Sequence, residues 1–122
     1  MADRIESPAY LRKVRLCPCY LCRQITVPGV RIVEANHSTR NRGKGKRQGD
    51  GETWPLCRTL DGGGCHADYH DMSIEVRRNM DGPAVEWTRA YIAQHWPGTT
   101  IPPLDPPEAE ILAPFSRVGH VR

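Results

Sequence analysis

Thr53-Trp54-Pro55-Leu56-Cys57 runs through Arg58-Thr59-Leu60 and the bridge Asp61-Gly62-Gly63-Gly64 into Cys65-His66-Ala67-Asp68-Tyr69-His70-Asp71. The opening residues predict a short strand over 53–56 that ends at Cys57. The glycines predict a flexible insertion. A helix is expected from near Cys65 to about Arg78. His66 and His70, four residues apart, then lie on one helix face, one turn apart. Two imidazoles so placed can grip one cation; the plainer alternative is a pair of partly exposed surface histidines.

Upstream, Cys19 and Cys22 form a C-x2-C pair on a tight knuckle, the usual half of a zinc site. Cys57 and Cys65 supply the other half. Seven residues separate them, where knuckles commonly have roughly two to four. The glycine bridge lets that loop bulge and return both thiolates. Four thiolates suit structural zinc in a closed tetrahedral site. Three alternatives stand beside this set. Cys17 could replace Cys19, Cys19 and Cys22 could pair with His66 and His70, or the thiols could be free in a reducing cytosol.

Composition explains why a staple is wanted. The chain has 122 residues, 39% hydrophobic and 7% aromatic, with eleven Gly and eleven Pro. A core that thin usually needs a covalent or metal support. The cysteine count is five, and the N-terminus has no apolar stretch of a secretory signal. Both argue for metal over a disulfide framework and predict a cytoplasmic location. No apolar run reaches membrane-spanning length, so no membrane association is expected.

The net charge of +3 says little as a sum. Its placement says more. Arg40, Arg42, Lys44, Lys46 and Arg47 crowd one loop, interleaved with Gly43, Gly45 and Gly49, and no acidic residue falls between Glu34 and Asp50. Such a loop can neutralise nucleic-acid phosphates while its glycines allow close backbone approach. It can equally be a solvated basic loop. No base-reading helix is evident, so strong sequence specificity is not expected.

The remaining elements frame these residues. Ser7-Pro8 reads as a helix start leading Ala9 to Leu16. Ile25 onward reads as a strand, a turn at Pro28-Gly29, and a second strand from Val30 to Ala35, with His37 just beyond its end. Asp81-Gly82-Pro83 predicts a break and a restart. Ala84 to Trp96 predicts a further helix, stopped by Pro97-Gly98. Trp54, Trp87 and Trp96 read as core, and His95 and His120 as surface. The division is a domain over 1–96 and a proline-rich tail over 97–122.

Taken in order, these stretches resemble the HNH, or ββα-metal (His-Me finger), nucleases, especially small phage-encoded and recombination-associated members. The matching residues are Pro18-Cys19-Tyr20-Leu21-Cys22, Val33-Glu34-Ala35-Asn36-His37, Gly43-Lys44-Gly45-Lys46 up to Asp50, Trp54-Pro55-Leu56-Cys57, and Cys65-His66-Ala67-Asp68-Tyr69-His70-Asp71. The likeness covers roughly residues 8–96. It implies an α+β fold: a ββα-metal core with a zinc knuckle and flanking helices. It also implies a metal-dependent endonuclease acting on DNA in a bacterial host cytoplasm, with 5′-phosphate and 3′-hydroxyl products. His37 would be the general base. A divalent ion, Mg²⁺ or Mn²⁺ with Zn²⁺ or Ni²⁺ as alternatives, would sit on Asn36, His66 and His70. From its position after His70, Asp71 reads either as a carboxylate orienting a ligand histidine or as a simple surface residue. Asp50 and Glu52 are the candidates for the family's bracing Asn. Two departures stand out. Asn36 takes a place where His or Asp is common, and the Cys57–Cys65 spacing is long. A non-catalytic, zinc-stapled DNA-binding module of phage recombination or packaging is the alternative.

Overall fold

A computed structural model describes residues 5–39 and 49–104. Arg40, Arg42, Lys44, Lys46 and Arg47, His120, and the tail beyond Leu104 lie outside the described residues. The chain is α+β. Helix α1 spans Pro8–Leu16, strand β1 Arg31–His37, strand β2 Thr53–Thr59, helix α2 Cys65–His70 and helix α3 Ile74–His95, with a 3₁₀ turn over Asp50–Glu52 before β2.

Local chemistry explains the start of α1. The Ser7 side chain accepts the Tyr10 N–H, and Pro8 occupies the first turn, where its missing donor costs nothing. The two strands pair antiparallel with Asn36 opposite Trp54 and His37 opposite Thr53. This register sets two faces, because successive side chains alternate. Val33, Ala35 and His37 share one face with Pro55 and Cys57. Glu34 and Asn36 share the other with Trp54 and Leu56.

Two apolar clusters hold the elements together. One joins Cys19, Val33, Trp54, Leu56, Cys57, Tyr69, Ala84 and Val85, and so ties the knuckle, the sheet, α2 and the first half of α3. The other joins Tyr10, Val14, Cys17 and Ile92, with Ala35, Tyr91, Trp96 and Ile101 packed on it, and docks α1 against the second half of α3. Just past α3 the chain lies on the body, where the Arg89 guanidinium donates to the Pro102 carbonyl at 2.6 Å.

Three expectations need correction. The helix beginning at Cys65 does not reach Arg78. It stops at His70, and Ser73 caps a new helix by accepting the Val76 N–H at 3.2 Å. Asp81-Gly82-Pro83 does not break the chain; α3 passes through it with Pro83 inside. Proline removes one helical hydrogen bond, so something must offset that loss. The offset is Asp81, which is fully buried. Its carboxylate accepts from Thr39 N–H (2.6 Å), Thr39 O–H, Trp54 Nε1 (3.0 Å) and the Tyr69 hydroxyl (2.7 Å). Four donors from the segment just after β1, from β2 and from α2 converge on one side chain of α3. Finally, no strand forms from Ile25. A single bridge, Val27 to Arg31, closes the Pro28-Gly29 turn.

Candidate metal centre and candidate active site

Cys19, Cys22, Cys57 and Cys65 come together. Their sulfurs all lie within 4.8 Å of one another, and this group could hold a metal ion. Cys22 and Cys57 Sγ stand 3.6 Å apart. A tetrahedron with metal–sulfur bonds of about 2.3 Å has edges of roughly 3.8 Å, so the spacing fits a tetrahedral thiolate site. The knuckle is shaped by its own backbone: Cys19 N–H donates to Gln24 O and Arg23 N–H to Cys19 O, both at 2.8 Å. Burial raises Cys65, with Cys19 adding to it, and burial raises Cys57. Cys19 feels the same burial, but backbone N–H groups of Cys22, Cys57 and Leu21 pull its thiol below the usual value.

The glycine bridge does what the long spacing requires. Gly64 adopts φ +98 and delivers Cys65 directly into α2. A Cβ there would stand 2.8 Å from the Cys57 carbonyl and 3.0 Å from Arg58 Cα. Only glycine permits this approach and this backbone conformation together. Cys17 is outside the cluster. It is buried beside α1, its thiol donates to Lys13 O, and burial pushes it up to about 12.

The histidines divide between the two faces of the sheet. His66 and His70 stack with ring centroids 4.8 Å apart. His66 Nδ1 meets Glu34 Oε1 at 2.7 Å, and Arg58 shares that oxygen at 3.2 Å. A carboxylate accepts only, so Nδ1 donates to it, which leaves Nε2 as the nitrogen that could ligate a metal. Burial lowers His70, with His66, Arg77 and Arg58 contributing, which favours the neutral ligand form. Asn36 is buried on the same sheet face as Glu34. The donor chemistry of His66, His70 and Asn36 suits a divalent ion. Asp71 follows α2 and is exposed.

His37 sits on the opposite face. Its Nε2 meets Asp50 Oδ1 at 3.1 Å, and Asp50 Oδ2 accepts the Ser7 N–H at 2.6 Å. Asp50 is 3% exposed at its side chain and His37 24%. Ser38 N–H donates to Glu52 O at 2.8 Å, beside the dyad. The two ends of the basic segment are therefore pinned together at His37 and Asp50. The structure does not bring His37 and Asn36 to one side of the strand, although they are neighbours in sequence.

Sequence reasoning missed Glu34 as a partner of His66. The signal was present: Glu34 and Asn36 are two apart in a strand and so share a face. Asp81 was missed as well, because an Asp-Gly-Pro run reads as a turn. Trp54 is fully buried, as its core reading expected. Among the described residues, no helix is long and apolar enough to cross a membrane. Comparison of the chain with protein-family models, with curated proteins and with solved structures finds no match.

Proposed function

We propose that the protein is a zinc-stapled, metal-dependent endonuclease of the HNH type acting on DNA. The observation that carries this reading is the His37–Asp50 dyad, whose two residues flank the basic segment in sequence. A buried carboxylate orients an imidazole that stays partly open to solvent, which is the arrangement of a positioned general base. Because the same dyad closes the segment carrying Arg40, Arg42, Lys44, Lys46 and Arg47, phosphates gathered by that segment would arrive beside His37.

In this reading, His37 takes a proton from water as the water oxygen attacks the scissile phosphorus. The bond to the 3′ oxygen breaks, leaving a 5′-phosphate and a 3′-hydroxyl. Asp50 orients the imidazole and stabilises the imidazolium. His66, His70 and Asn36 would hold the divalent ion, and Glu34 would orient the His66 ring through Nδ1. When bound, that ion would supply charge stabilisation for phosphate oxygens. The four cysteines would hold structural zinc and take no part in the chemistry.

The second reading is a non-catalytic DNA-binding module on the same staple. It is favoured by the placement of Asn36 and His37 on opposite sheet faces. One assay separates the two. Purified protein is incubated with supercoiled plasmid and Mg²⁺ or Mn²⁺, beside His37→Ala. The nuclease reading expects nicking by the wild type and a loss of at least about 100-fold in the variant. Undiminished nicking by the variant removes His37 as base, and no nicking by the wild type with any divalent ion selects the binding module.

A further inference from the structure

An aromatic strip runs along α3 from the knuckle to the helix end. Tyr20 packs edge-on against Trp87 with centroids 5.4 Å apart. Trp87 tilts onto Tyr91 at 5.1 Å, and His95 stacks flat on Tyr91 at 3.8 Å and 14°. Residues 87, 91 and 95 are spaced by four, which puts them on one helix face. The first two are half-buried and His95 is exposed. The contact between His95 Nδ1 and the Tyr91 carbonyl, at 3.0 Å, holds the terminal ring in place.

Two cations flank this strip. The Arg23 guanidinium lies 4.6 Å from the Trp87 ring centroid and 5.2 Å from that of Tyr20. Lys13 stands over Trp96 at 5.3 Å. Among the described residues, the ion pairs are His37–Asp50, Arg58–Glu34 and His66–Glu34, so neither Arg23 nor Lys13 spends its charge on a carboxylate. Arg23 is further singled out by its backbone. At φ +65 it is the one non-glycine residue with positive φ among those described. That conformation closes the knuckle and favours glycine, yet arginine occupies it and its side chain is laid across two rings.

We infer that this strip binds single-stranded nucleic acid, with a base stacking on the exposed His95 ring that ends the Trp87–Tyr91–His95 ladder and phosphates neutralised by Arg23 and Lys13. Aromatic rings interleaved with uncommitted cations are the general means of holding an unpaired strand without reading its sequence. The strip is distinct from the His37 dyad and from the His66–His70 pair. It does not require that the protein cut.

The test measures binding of a labelled oligo(dT) to zinc-loaded protein without catalytic metal, following tryptophan fluorescence and anisotropy. The wild type is expected to bind at low salt with quenching, and to prefer the oligonucleotide to duplex DNA and to inorganic polyphosphate, which has charge but no bases. Arg23→Gly suits the backbone better than the native residue, so it preserves the knuckle. It is expected to weaken binding about fivefold or more and to reduce the salt slope by about 0.7. His95→Ala is expected to weaken binding severalfold at an unchanged salt slope. Wild-type affinity in both folded variants overturns the inference, as does duplex or polyphosphate competing equally well. Failure of the plasmid assay with oligo(dT) binding intact removes the nuclease reading alone.

Discussion

Replacing Asp81 by asparagine tests the polar junction that organises this fold. Asp81 Oδ1 accepts from Trp54 Nε1 and the Tyr69 hydroxyl, and Oδ2 accepts from the Thr39 N–H and hydroxyl. In asparagine one oxygen becomes an NH2 group. The Tyr69 and Thr39 hydroxyls can rotate and accept from it. Trp54 Nε1 and the Thr39 amide cannot, because they only donate. Whichever way the amide is turned, its NH2 faces one obligate donor. One buried N–H loses its acceptor, at about 1–3 kcal/mol, and the surviving bonds lose the strengthening that a charged acceptor gives. The expected loss is about 2–4 kcal/mol for Asp81→Asn. Asp81→Ala abandons all four donors and should cost about 3–5 kcal/mol or more. Urea unfolding followed by tryptophan fluorescence, with zinc saturating, measures both, and an unchanged slope would show that the denatured state is unaffected. A loss under about 1 kcal/mol for Asp81→Asn would refute the convergence of four donors on this side chain.

Further outcomes follow from the same geometry. Elemental analysis should find one zinc per chain, lost together with native circular dichroism in Cys22→Ser or on strong chelation, and a metal-free chain that melts like the loaded one would sink the staple. Gly64→Ala should destabilise clearly more than Gly62→Ala. Both have positive φ, but a Cβ at Gly62 meets nothing within 4 Å while one at Gly64 strikes the Cys57 carbonyl; equal losses in denaturant would show that the clash is relieved. Tyr10, raised by burial, and Tyr69, raised by burial and then by Asp81, are both pushed up to about 12. Their folded values exceed that of an unfolded tyrosine, so their contribution is complete below about pH 10 and is lost as pH rises toward 12. Absorbance at alkaline pH should show at least two tyrosines ionising late and together with unfolding, and their ionisation in the folded state near pH 10 would contradict their burial.

Much of this molecule is written in short-range patterns. Ser7-Pro8 starts α1 because a side-chain acceptor and a donor-free ring answer the unpaired amides of a helix end. The C-x2-C knuckle and the glycine bridge announce a thiolate cluster, because few other uses exist for cysteines at that spacing in so thin a core. The break between α2 and α3 was also locally encoded. Ser73 followed by Glu75 is a helix start, but the apolar residues on either side of it hide the signal.

What local reading could not reach was set by partners distant in sequence. Asp81-Gly82-Pro83 has the propensity of a turn, yet it lies inside a helix, because hydrogen bonds from Thr39, Trp54 and Tyr69 and the packing of Ala84 and Val85 outweigh the lost amide. Asn36 and His37 look like one motif in sequence, while the pleat sends them to opposite faces. His37 goes to Asp50 and the start of α1, and Asn36 to the side where Glu34 meets α2. The sequence by itself determined which groups could bind metal and where the charge is concentrated, since those follow from residue type and spacing. Only the tertiary structure decided which of them share a site, since that depends on strand register and on which buried donors find an acceptor.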